Sequence, residues 1–260
     1  MRRALTIAGS DAGGGAGIQA DLKTFTAFQV YGMSVVTAVT AQNTLGIQRI
    51  EALSPDLVAA QLISVLGDIG VDTAKTGMLL KREVIEIVCQ VLDEFGTRKI
   101  VVDPLMKAGT GAVLLEEEAL AALKELLLPM ARVVTPNLDE AAILCGETIS
   151  DVAGMKEAAR KIKALGPEYV VVKGGHLPGP RVFDVIYDGN KMEVKDLPRI
   201  PGEGFHGIGC TFSAGIAAGM AKGLDVREAI EAAHHYLVAA IRYSFPIGKG
   251  RRPLNHFVKP

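Results

Sequence analysis

Short apolar runs rich in β-branched residues alternate with helix-period segments almost from one end of the chain to the other, and this order constrains the fold more than any other feature. ALTIA (4–8), MSVVTAVTA (33–41), the middle of DTAKTG (72–77), KIVV (99–102), ARVV (131–134) and YVVV (169–172) read as strands. Helices are expected over about 18–28, from about Pro55, and most clearly where Val84, Ile87, Val88, Val91, Leu92 and Phe95 recur at three- and four-residue spacing. Others are expected near 116–127, as a pair between ARVVTPN and YVVVKGG, and from about Cys210 and Val226 to close the chain. A hairpin is expected over about 182–197, turning at Asp188, Gly189 and Asn190. Strands joined through helices run parallel, so the expected fold is α/β, with one mostly parallel sheet covered on both faces. No linker, repeat or low-complexity tract interrupts the pattern, and residues 1–260 are read as a single domain.

The totals exclude several classes. A net charge of −1 leaves no basic excess for nucleic acid or an anionic membrane. Lys249, Arg251 and Arg252 are read as a surface tail. Three cysteines without a Cys-x-x-Cys pair suggest neither a disulfide framework nor a zinc site, and fit a reducing cytosol. The apolar run 4–8 is too short for a signal-peptide core, and no run is long enough to span a bilayer, so a cytoplasmic protein is expected.

In such sheets ligands sit beyond the carboxyl ends of the strands. The distinctive residues fall there: Gly9, Ser10 and Asp11; Gln42, Asn43 and Thr44; Asp103 and Pro104; Thr135, Pro136 and Asn137; Lys173, Gly174 and Gly175. The first glycine loop, GSDAGGGAGIQAD (9–21), loosely matches a dinucleotide fingerprint, but the second strand ends in Thr40, Ala41 and Gln42 without the acid that would hold a ribose. A dehydrogenase is therefore disfavoured, and Asp11 and Asp21 are left as polar groups for a ligand hydroxyl. No Walker A loop is present, since Ile208 occupies the lysine position after Gly202 and Gly207.

A second glycine turn, HGIGC (206–210), brings successive backbone N–H groups to a helix start, an arrangement suited to a transferring phosphoryl group. Capping of a tightly packed helix is the bland alternative. Cys210 at this helix N-terminus is expected to have a lowered pKa and to take a proton from a hydroxyl, whereas Cys89 and Cys145 are expected to be inert and buried. Asp103 and Glu140 are the carboxylates suited to Mg²⁺, with helix and loop capping as the alternative. Lys173 would reach a phosphate or lie solvated. His176 and His206 would bond a ligand or loop, and His234 and His235 are taken as structural or exposed.

The stretches ALTIAGSDAGGGAGIQADLKTF, YGMSVVTAVTAQNTLG, KTGML, VVDPLM, TPNLDEA, VVVKGGH and HGIGCTFSAGIAA, in this order over essentially the whole chain, resemble the hydroxymethylpyrimidine/phosphomethylpyrimidine kinases of the ribokinase-like superfamily. The resemblance implies a three-layer α/β/α fold and transfer of the ATP γ-phosphate to an aminopyrimidine alcohol, then to its monophosphate, in thiamine synthesis. It also implies Mg²⁺ and a homodimer. It places Gln42, Gly9, Asp21, Met78 and Leu105 at the pyrimidine, Lys173 at the transferring phosphate, and Asp103 and Glu140 at the Mg²⁺. Gly207, Ile208 and Gly209 would form the anion hole, with Cys210 at the hydroxyl. The family turn usually reads Gly-Thr-Gly-Cys; Ile208 keeps the amide and loses a hydroxyl near the phosphates. Two other functions are weighed: a vitamin B6 kinase of the same fold, and a pyrimidine-binding sensor without catalysis.

Overall fold

The computed structural model describes residues 1–107, 111, 114–202 and 204–260. In chain order the elements are β1 (Arg3–Asp11), α1 (Gly17–Ala27), β2 (Tyr31–Asn43), β3 (Gly46–Ala52), α2 (Pro55–Asp68), β4 (Thr73–Thr76), α3 (Arg82–Glu94) and β5 (Ile100–Val102). They continue with α4 (Glu117–Ala122), β6 (Val133–Val134), α5 (Leu138–Cys145), α6 (Val152–Lys163), β7 (Tyr169–Lys173), β8 (Arg181–Tyr187) and β9 (Met192–Pro198). Last come β10 (Phe205–His206), α7 (Ile208–Ala221), α8 (Val226–Arg242) and β11 (Arg252–Pro253).

Nine strands form one sheet in the order β3-β2-β1-β4-β5-β6-β7-β8-β9. From β2 through β7 neighbouring strands are parallel, and antiparallel β3, β8 and β9 close the two edges. Alternation along the strands divides the core. Ile100, Val102, Val134, Val170 and Val172 face a cluster built with α2 to α6, whereas Val101, Val133 and Val171 face one built with α1, α7 and α8. Helices therefore cover both faces, giving the three layers the resemblance implies. Each of these valines is wholly buried, which contributes roughly 1.5–3 kcal/mol per side chain.

Local chemistry sets the helix ends. Ser54 accepts a hydrogen bond from Leu57 N ahead of Pro55, and Asp225 and Glu228 cap α8 reciprocally. The helix expected near 116–127 is α-helical only to Ala122, widening into a π turn over Leu123–Leu127 and a 3-10 turn over Leu128–Met130. Pro129 has no N–H to continue an α ladder there.

Two sequence expectations change. Gln42 lies within β2 rather than after it, at a register shift opposite Ile47 on the missed strand β3. The basic C-terminal stretch is not a loose tail, because Arg251 N donates to Thr44 O at 2.8 Å and Arg252 N to Gly204 O at 2.9 Å. Both contacts strap it beside the carboxyl edge of the sheet.

Candidate active site

The carboxyl ends of β1, β4, β5, β6 and β7 meet the N-termini of α1, α5 and α7, and the predicted residues collect there. Gly207 caps α7 in the left-handed region at φ 89°, with no side chain on the cap. A Cβ at Gly207 would collide with the Gly15 carbonyl oxygen, so the two glycine turns touch. First-turn amides of a helix have no intrahelical acceptor, which leaves Ile208, Gly209 and Cys210 N–H groups to cradle an anion. A Cβ at Gly209 would lie 3.3 Å from Lys173 Nζ and 3.5 Å from Asp103 Oδ2, so this cradle sits directly on those charges. Ile208 is exposed, at the first helical position.

Lys173 is not a solvated strand end. Its Nζ lies 3.2 Å from Asp103 Oδ1, and its side chain is only 15% exposed. Burial works against the ammonium, but Asp103 and Glu140 outweigh it and raise its pKa. Asp103 is also approached by the hydroxyls of Thr135 at 3.5 Å and Ser213 at 3.4 Å. The backbone of Lys173 is held by donation to Pro136 O at 2.8 Å, which draws β7 against the start of α5. Glu140 caps its own helix. Its Oε2 accepts from Asn137 N at 2.8 Å in a capping box, yet the buried carboxyl also lies within the field of Lys173 and Asp103.

Burial pushes Glu140 from an ordinary 4.5 up to about 7, with Lys173 opposing and Asp103 reinforcing the shift. The consequence for stability has a definite sign. The raised pKa contributes stability that is complete below about pH 4.5 and lost as pH rises through about 7. The melting temperature of the metal-free protein minus that of Glu140→Gln is expected to fall across this window; a difference constant with pH means Glu140 titrates normally.

Cys210 reverses its expectation. The thiol is 7% exposed, and burial pushes it up to about 11, despite the pull of Lys75 and a hydrogen bond from Gly17 N. Desolvation of a thiolate outweighs the partial positive charge of a helix end. Cys89 is buried and raised to about 12, as an inert core thiol should be, whereas Cys145 is only partly buried.

The residues assigned to the ring divide in two. Gly9, Met78 and Leu105 come together: a Cβ on Gly9 would strike Met78 Cε, and Met78 and Leu105 share a small apolar cluster with Ala38, Leu80 and Leu114. Asp21 does not present a free carboxylate to a pocket. It is wholly buried, bound by Lys75 Nζ at 2.9 Å and Thr6 Oγ1 at 2.6 Å. Asp11 is likewise engaged, accepting from Gly13, Gly15 and Ala16 amides and lying 2.9 Å from His206 Nε2. Gln42 stands partly exposed beside that histidine.

Sequence reasoning missed Lys75, whose signal was a lysine inside a fully buried four-residue strand. A lysine survives such burial only with a partner. The Asp184 and His234 pair was also missed: His234 Nε2 lies 2.8 Å from Asp184 Oδ2, while Asp184 Oδ1 accepts from Gly174 N just after Lys173. Exposed His176, 3.4 Å from Asp139, does not join the site. Among the described residues no group of three or more His, Cys, Asp or Glu side chains is placed to hold a metal by itself, and no helix is long and apolar enough to cross a membrane.

The sequence profile of the phosphomethylpyrimidine kinase family matches residues 11–255. A hydroxymethylpyrimidine/phosphomethylpyrimidine kinase of Rhizobium meliloti is 51% identical over 257 residues, covering 98% of this chain and 96% of that protein. A thiamine biosynthesis bifunctional protein of Geobacter sulfurreducens is 49% identical over 254 residues, and there the match spans 98% of this chain but only 52% of the relative's length. Among solved structures, the ADP complex of Bacillus subtilis pyridoxal kinase superposes with a TM-score of 0.91 at 43% identity, covering 98% of this chain and 97% of that one. With its layered sheet, the glycine-capped start of α7 set against Lys173 and Asp103, and a family match over residues 11–255, the chain belongs to the phosphomethylpyrimidine kinase family.

Proposed function

We propose that the protein phosphorylates 4-amino-5-hydroxymethyl-2-methylpyrimidine and then its monophosphate with ATP, as one kinase domain acting in the cytoplasm. The observation that carries this reading is the meeting of the α7 amides, Lys173 and Asp103 at one point. Transfer of a phosphoryl group depends on holding reactants in line and stabilising spread negative charge, more than on covalent help from the protein. In the first transfer the substrate hydroxyl oxygen forms the new bond to the γ-phosphorus, the bond to the ADP oxygen breaks, and the hydroxyl proton passes to Cys210 in its thiolate form. The amides of Ile208, Gly209 and Cys210 bind the phosphoryl oxygens, and Lys173 neutralises charge as it moves to ADP. Gln42 meets the ring edge, and Gly9, Met78 and Leu105 meet the ring face, with Asp21 acting from beneath through Lys75.

Mg²⁺ belongs to the same reading. Asp103 and Glu140 form an oxygen-only pair, both facing Lys173, so a divalent ion would relieve their mutual repulsion. Magnesium ordinarily takes one or two carboxylates with waters and phosphate oxygens, which suits the absence of a larger cage among the described residues. When bound, it neutralises phosphate charge. A homodimer is also proposed, supported by exposed Val39, Leu57 and Ile63 on β2 and α2.

Likeness to a pyridoxal kinase favours a second substrate class, vitamin B6 alcohols. A panel with ATP and Mg²⁺ decides between them. The aminopyrimidine alcohol should give monophosphate and then diphosphate; turnover of pyridoxal alone would move the assignment.

A further inference from the structure

Gln42 is tied into a closed set of polar contacts over the first glycine turn. Its Nε2 faces His206 Nε2 at 3.1 Å, and its Oε1 faces Thr40 Oγ1 at 3.0 Å. The same histidine nitrogen lies 2.9 Å from Asp11 Oδ2, and Thr40 Oγ1 lies 2.9 Å from the Ser10 carbonyl oxygen. The ring of His206 packs against the first glycine turn. Gly15 lacks a Cβ where the imidazole Cδ2 sits, and the backbone of His206 pairs with Pro253.

Proton supply decides which way the Gln42 amide points. Burial favours a neutral Asp11, but His206 and the loop amides outweigh it and lower its pKa, so the carboxylate can only accept. The His206 nitrogen beside it therefore carries hydrogen and has no lone pair to offer. An NH₂ group facing that nitrogen would set donor against donor, whereas an amide oxygen there shares its N–H with Asp11. Thr40 has one hydroxyl hydrogen, and the Ser10 carbonyl can only accept it, so Thr40 Oγ1 is left as an acceptor for the amide NH₂. Amide oxygen and nitrogen are distinguished by their partners alone. The arrangement in which every group is matched turns the amide over, with Oε1 toward His206 and NH₂ toward Thr40.

We propose that His206, held by Asp11, locks the Gln42 amide in this orientation and thereby selects a ring edge that carries an acceptor nitrogen beside an amino group. This rests on the reading of Gln42 as the ring contact. So locked, Gln42 keeps one N–H and one oxygen lone pair side by side for a ligand. An aminopyrimidine edge answers both. In pyridoxal the ring nitrogen and ring hydroxyl are separated by a methyl-bearing carbon, so the ring answers one at a time. His206 is thus a positioning residue that sets specificity without touching the reacting atoms.

Steady-state kinetics of the wild type, His206→Leu and His206→Gln, each with the aminopyrimidine alcohol and with pyridoxal, test the idea. For His206→Leu we expect KM for the aminopyrimidine to rise ~10-fold, and the ratio of kcat/KM between the two alcohols to fall by a similar factor. KM for ATP should stay put. His206→Gln, whose amide N–H reaches the position of the imidazole nitrogen, should recover most of the ratio. Thr40→Val removes the other anchor of the amide, should shift the ratio in the same direction, and serves if His206→Leu melts below the assay temperature. An unchanged ratio overturns the proposal, as does an equal loss on both alcohols, the mark of a merely structural histidine. Failure of the wild type to phosphorylate the aminopyrimidine overturns the functional reading and this inference together, whereas wild-type turnover with an unmoved ratio overturns the inference alone.

Discussion

Cys210→Ala is expected to lower kcat at least ~10²-fold with little change in KM for ATP, the loss typical of removing a group that takes a proton in the transition state. The buried thiol makes this a demanding role. With its pKa pushed up to about 11, only about one molecule in a thousand holds a thiolate at pH 8. A base so rarely ionised makes kcat rise with pH toward the thiol pKa. Cys210→Ala should abolish that rise, and alkylation of Cys210 should be slow at neutral pH. Two features work toward the anion, the Lys75 ammonium and the Gly17 amide, and two carboxylates, Asp21 and Asp103, work against it. A variant with near-full activity reduces the sulfur to a spacer beside the anion cradle. A flat pH profile with the large loss retained means the sulfur positions the hydroxyl without taking its proton.

Lys75→Met is expected to destabilise the fold by about 3–5 kcal/mol, because it strands the Asp21 carboxylate in the interior. Both side chains are wholly buried, and the ammonium is 2.9 Å from Asp21 Oδ2. Burial opposes the Lys75 charge, but Asp21, with Cys210 and Asp103 behind it, raises its pKa, so the charge persists at neutral pH. The double variant Lys75→Met with Asp21→Asn should recover much of the lost stability, since it leaves neither charge unpaired. Denaturant unfolding of the two singles and the double reads the coupling directly. Additive losses would mean that the pair is not a unit. Activity gives the second half of the result: the double variant, though folded, should still be impaired, because Cys210 has lost the cation beneath it.

The layered fold was legible because its signals are local. Ile100, Val101 and Val102 form an unbroken apolar run, the mark of a strand covered on both faces, and such a run is read from consecutive residues. Strand β3 escaped notice because GIQRIEA lies at the edge of the sheet with no fully buried residue, so it carries no apolar run. Of the site, Asp103 and Lys173 were legible from their place at strand ends. Asp11 was legible as a polar group in the glycine loop but not as one already committed, because its histidine partner lies 195 positions away.

Cys210 marks the boundary between the two kinds of knowledge. Its sequence neighbours establish a glycine turn, a helix start and a free thiol, and the chemistry of helix ends argues for a lowered pKa. Burial and the nearby carboxylates come from segments far apart in the chain, and they raise it instead, outweighing the Lys75 cation. By itself the sequence determined the layered sheet, the edge where its distinctive polar residues gather and the family to which the chain is similar, since each follows from periodicity or from short ordered motifs. Only the tertiary structure decided which charges are shared, which amides are committed and which way the thiol titrates. Desolvation and charge pairing depend on distance through space, and the chain order does not carry that distance.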